Sequence, residues 1–120
     1  MKAQKESVLK IYASTTDKIS QKLLYEHIVH LAKDDGISGV TVYRGIMGYG
    51  LSSHHISSSK FWELTEKLPV IIELIDTEEK LIAFYNEIES GLESMPKGCL
   101  VTLEKVKVLL RKKGSENKEL

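Results

Sequence analysis

The sequence predicts an α+β sandwich whose elements run β-α-β-β-α-β, and three observations carry that prediction. Apolar and polar residues alternate near the start, in the middle and toward the end of the chain. Two longer stretches between these repeat their apolar residues at helical spacing instead. Glycine, proline and serine cluster at the joins, where the chain has to turn.

Residues 6–13 form the first strand, with Leu9, Ile11 and Ala13 on one face and Val8, Lys10 and Tyr12 on the other. Asp17 is placed to cap a helix running to about Asp34, whose apolar stripe is Ile19, Leu23, Leu24, Ile28, Leu31 and Ala32. Gly36 stops it. Residues 39–46 form the second strand, in which Val40 and Val42 alternate with Thr41 and Tyr43. The chain then breaks into Gly45, Gly48 and Gly50, a run of serines and the pair His54-His55. Such permissive, polar chain is either a slack hairpin end or a loop built to close over a ligand. Ser58 or Ser59 starts a short helix bearing Phe61, Trp62 and Leu64.

Pro69 opens the third strand, 70–75, and Asp76 with Glu79 reads as a capping box for the second helix. That helix presents Leu81, Tyr85, Ile88 and Leu92, and Gly91 with the turn at 94–98 ends it. A fourth strand starts at Cys99, and Val106, Val108 and Leu110 alternate with lysines in an added C-terminal strand. This order is the ferredoxin-like arrangement, in which both helices cover one face of an antiparallel sheet. The other face must meet something. Val8, Tyr12, Val70, Ile72 and Leu74 supply more apolar surface than the helices alone account for, so an oligomer is expected.

With 120 residues, the chain is expected to be a single domain over 1–120, with a flexible charged tail from about 112 to 120. The formal net charge is zero, which argues against a nucleic-acid partner. No apolar run is long enough to insert in a membrane, and Met1 leads straight into polar residues, so a cytoplasmic protein is expected. The lone Cys99 leaves no internal disulfide and agrees with a reducing compartment. Ser52, Ser53 and His54 hold a nucleophile and a base, but sequence neighbours lack in-line geometry and no orienting acid accompanies them, so no enzyme is expected.

Three blocks, GVTVYRGIMGYG, LPVIIELIDTEEKL and GCLVTLEKVKVLL, resemble the PII-like proteins known as domain of unknown function 190. That family is similar in turn to the PII nitrogen-regulatory signal proteins, and the resemblance runs from about Val8 to Arg111. It implies a homotrimer that binds an adenine nucleotide in clefts between subunits. It also implies that the 45–60 loop reports ligand state to a protein partner. Thr41 sits in the Gly-x-Thr-Val strand start of PII proteins, and Gly48-Tyr49-Gly50 matches their Gly-Phe-Gly, with one extra residue between the two. Gly98 falls in the turn where PII proteins carry a glycine-rich phosphate loop, of which only Lys97 and Gly98 remain. Ile71 stands about where PII has a lysine, and Arg111 lies near its nucleotide-binding arginines from the neighbouring subunit. These departures imply ADP or AMP in preference to ATP.

The candidate ligand-binding set is therefore Thr41, Arg44, Gly45, Gly48, Tyr49, Gly50, Lys97, Gly98 and Arg111. Arg44 either points into the cleft beside the loop or pairs with a surface carboxylate. The glycines serve either phosphate approach or a bulge. The alternative function is metal binding, copper or zinc, through His27 and His30 on one helix face or through His54 and His55.

Overall fold

The computed structural model describes residues 4–50, 57–58 and 67–115. In chain order it forms β1 (Gln4–Ser14), β2 (Lys18–Ile19), β3 (Lys22–Leu23) and α1 (Leu24–Asp34). Next come β4 (Gly39–Arg44), β5 (Met47–Gly48), β6 (Ser57–Ser58) and β7 (Pro69–Asp76), then α2 (Glu78–Ser94) and β8 (Leu100–Val108). The main sheet has the order β4-β7-β1-β8, with every neighbouring pair antiparallel. This is the expected ferredoxin-like topology, because β1 and β4 each pair with β7 and α1 connects them.

Strand alternation sorts the sheet into two faces. Leu9 pairs with Leu74 and Ile11 with Ile72, and these four are buried against Leu24, Ile28 and Ala32 of α1 and Leu81, Phe84 and Ile88 of α2. Val70 shares that face and is 2% exposed. Val70, Ile72 and Leu74 thus belong to the helix-covered core, and the open face is supplied by Val8, Tyr12, Ile71 and Ile75. A near-continuous apolar run hides which alternate residues point which way, and only strand pairing decides it.

Several local expectations are corrected. Asp17 caps no helix; the chain first makes the β2–β3 hairpin, and α1 begins at Leu24. Asp17 is 5% exposed, its Oδ2 accepts from the Ser14 N–H at 3.0 Å and its carbonyl accepts from the Leu24 N–H at 2.8 Å. The hairpin turns through Ser20 (φ 51°) and Gln21 (φ 67°), left-handed conformations that cost non-glycine residues about 1 kcal/mol each. Gly91 lies inside α2 rather than at its end. A Cβ there would fall 2.5 Å from Ile19 Cδ1, so glycine gives the hairpin its seat on the helix. Thr77, not Asp76, caps α2, and its Oγ1 accepts from the Lys80 N–H at 3.3 Å. Phe84, 1% exposed, takes the core position expected of the half-buried Tyr85. Val106 and Val108 continue β8, and no strand follows it among the described residues.

Beyond β8, Arg111 reaches across the sheet end to the carboxylate of Glu6, 9% exposed, and to Ser38 Oγ at 3.5 Å. Ser38 in turn donates from its hydroxyl to the Ile75 carbonyl at 2.7 Å and from its N–H to Asp76 at 2.9 Å. The C-terminal segment is thereby tied to the end of the sheet where β1 begins. Among the described residues no helix is long and apolar enough to cross a membrane.

Candidate functional site

The opposite end of the sheet carries a cleft of about 450 Å³. Three chain segments meet there. The first follows β4: the Gly45 N–H donates to the Pro69 carbonyl at 2.7 Å, and Met47 and Gly48 then pair with Ser58 and Ser57. A Cβ on Gly45 would lie 3.3 Å from the Pro69 ring and one on Gly48 would lie 3.2 Å from it, so both glycines let the loop base lie flat on Pro69. The second segment leads into β7, and it is fixed by the Thr15 N–H donating to the Leu68 carbonyl at 2.9 Å. The third is the turn from α2 into β8, which brings Gly98 and Cys99 to the wall.

The floor of the cleft is one row of the open sheet face. Tyr12 pairs with both Ile71 and Leu100, and Ile71 also pairs with Tyr43, so these four residues lie side by side across the sheet. Leu100 is 50% exposed and Tyr43 49% exposed, a large apolar offering to solvent for strand positions. Tyr43 donates its hydroxyl to Glu73 Oε1 at 2.9 Å, and this bond, together with the carboxylate's charge, raises the phenol's pKa. The walls add the exposed ring of Tyr49, the backbone of Gly48, Gly50 and Gly98, and the cation Lys67. Burial, and then the charge of Asp17, push the Cys99 thiol up, so at neutral pH the wall presents an uncharged thiol.

This arrangement suits a ligand with a flat apolar part and an anionic part. Tyr12, Ile71 and Leu100 can cover a ring, and glycine N–H groups with Lys67 can face phosphate oxygens without intervening side chains.

Of the candidates read from sequence, Gly48, Tyr49, Gly50 and Gly98 come together in the cleft. Lys97 lines a separate hollow of about 370 Å³ behind the same turn, together with Tyr85 and Glu93. Gly45 supports the loop base from Pro69. Thr41 is exposed and pairs with Glu73, one row along the open face from Tyr43. Arg44, exposed at the end of β4, shares the helix side of the sheet with Val42. Arg111 sits at the far end of the sheet with Glu6, so within one chain it does not reach the cleft.

Sequence reasoning does not single out Lys67, although a lysine near the third main strand is the feature it finds missing at Ile71; Lys67 stands two residues before β7. Tyr12 and Leu100 are visible in the sequence only as apolar strand positions. Among the described residues no three His, Cys, Asp or Glu side chains converge as a metal site, so His27 and His30 find no third ligand there. His54, His55 and the helix expected near Phe61 lie outside the described residues, as does half of the 45–60 loop.

Comparison with known proteins bears on the family and the fold. The model of the DUF190 family, described as "Uncharacterized ACR", matches residues 6–108. A UPF0166 protein of Aquifex aeolicus is 36% identical over 109 residues, covering 91% of this chain and 98% of that one. A UPF0166 protein of Methanocaldococcus jannaschii is 44% identical over 77 residues, covering 64% of this chain and 69% of its own length. Among solved structures, CPII of Thiomonas intermedia, a nitrogen regulatory PII-like protein bound to ADP, AMP and bicarbonate, superposes with a TM-score of 0.66 at 18% identity. That match covers 89% of this chain and 91% of CPII. A putative PII-like signalling protein of Thermus thermophilus gives a TM-score of 0.63 at 15% identity, over 90% and 93% of the two chains. The fold is therefore PII-like.

Proposed function

The chain belongs to the DUF190 family, and on that premise we propose that it acts as a single-domain, cytoplasmic, PII-like regulatory protein that binds an adenine nucleotide. One observation carries this reading: Gly48–Gly50 and Gly98, far apart in sequence, converge with Lys67 on one cleft that opens onto the uncovered sheet face. A second copy packed on that face would close the cleft, which accounts for a pocket that one chain leaves open. By analogy with CPII, whose structure holds ADP and AMP, the ligand is ADP or AMP, seated between subunits of a homotrimer. Arg111 of the adjoining copy then completes the anion side, while Thr41 and Arg44 border the loop base. Lys97 steadies the Gly98 turn from behind.

The protein performs no chemistry on the nucleotide in this reading. Binding holds Gly48–Gly50 against phosphate and shifts the 45–60 loop toward one shape, which a protein partner reads. If binding orders that loop, the cost of ordering lowers affinity, as suits a sensor of an abundant metabolite.

Calorimetric titration of nucleotide-stripped protein with AMP, ADP and ATP, with and without magnesium, tests the proposal. We expect saturable binding near one ligand per subunit, tighter for ADP or AMP than for ATP, and weakened at least about tenfold by Gly50→Val. Silence from all three nucleotides would overturn it.

A further inference from the structure

We propose that the hollow between the β2–β3 hairpin and α1 is a second binding site, for a small multivalent oxyanion. This hollow, of about 650 Å³, is distinct from the nucleotide cleft and shares no residue with it. Its polar lining is one-sided. Lys18 and Lys22 come from the hairpin strands, Gln21 from the turn, and His27 and His30 from α1; Glu26 is the only carboxylate among its described lining residues. The side chains of these two lysines and two histidines make no hydrogen bond or ion pair with another described residue.

That is unusual for a chain with equal numbers of acidic and basic residues. Cations brought to one concavity repel one another, and among the described lining residues only Glu26 offsets them. An oxyanion would. Lysines act as point charges toward phosphate or carboxylate oxygens, the Gln21 amide and the imidazole N–H groups can donate, and the first turn of α1, which has no side-chain cap, adds a favourable dipole.

The hairpin is also held in place rather than left to drift. Its turn is kept through two left-handed non-glycine residues, and Ile19, between the two lysines, is seated against Gly91 of α2. Strain of this kind persists only where surrounding structure fixes it. The lysines therefore project from a fixed frame, which separates a site from scattered surface charge.

The test is amide and histidine-ring NMR of the full chain, titrated separately with inorganic pyrophosphate and with citrate. Sodium chloride at matched ionic strength is the reference. We expect saturable shifts at Lys22, His27 and His30, retained in Gly50→Val, and an affinity at least tenfold weaker in Lys18→Gln/Lys22→Gln. Both lysines are exposed, so this variant keeps the fold. Response to pyrophosphate alone assigns a phosphate ligand, to citrate alone a polycarboxylate, and to both a site that reads charge and oxygen only. Shifts reproduced by chloride, or an unchanged affinity in the lysine variant, would overturn the proposal.

Discussion

Gly50 and Gly48 look equivalent in the sequence but make different experiments. A Cβ on Gly50 meets nothing within 4 Å, whereas one on Gly48 lies 3.2 Å from Pro69. Gly50→Val should therefore leave thermal unfolding nearly unchanged while blocking a ligand's approach, and a calorimetric loss in that variant reports on binding alone. Cys99 gives a second residue-scale prediction. Its raised pKa means the folded state holds the thiol proton more tightly than the unfolded chain does. The stability this contributes is present below the unfolded thiol's pKa and is lost as pH rises through the folded one. Alkylation of Cys99 by iodoacetamide should accordingly be slow at neutral pH, accelerate only in the alkaline range, and slow again when ADP fills the cleft. Equal rates with and without saturating ADP would remove Cys99 from the ligand site.

Elements differ in how far the sequence disclosed them. β1 alternates cleanly, so both its faces are legible; of the predicted stripe, Leu24, Ile28, Leu31 and Ala32 lie on α1, whereas Ile19 and Leu23 belong to the hairpin before it. β7 could be found but not oriented, because its aliphatic residues run on without polar alternation until Glu73. The β2–β3 hairpin was hidden, since Lys18 to Leu23 fits a helical stripe and the Ser20-Gln21 turn lacks the glycine or asparagine that normally marks one. The cleft was half legible: glycine pairs announce themselves by type, whereas Lys67 and Tyr12 qualify only by pairing and chain return. The segment after β8 reads as a strand but acts as a tie. Arg111→Ala would leave the Glu6 carboxylate, 9% exposed, without its partner, and should cost about 1–2 kcal/mol in urea unfolding. A wild-type unfolding midpoint in that variant would show that the tie contributes nothing.

At the scale of the whole molecule, the two ends of one sheet face are complementary in kind. One end holds a cleft with an apolar floor and few charges; the other presents Arg111 beside Leu109 and Leu110, which are 75% and 72% exposed. A ring of copies packed head to tail on the open face would bury both ends together, as heterologous contacts that close on themselves do. In such a ring the nucleotide site exists only in the assembly, and ADP at about a hundred times its Kd should add about 2.7 kcal/mol per filled cleft to the assembly's stability. Native mass spectrometry of stripped protein with added ADP tests this most directly. The account predicts a trimer that takes up ADP until each cleft is filled, with no ADP on any monomer present. ADP on free monomers, or a trimer that stays empty at saturating ADP, would contradict it.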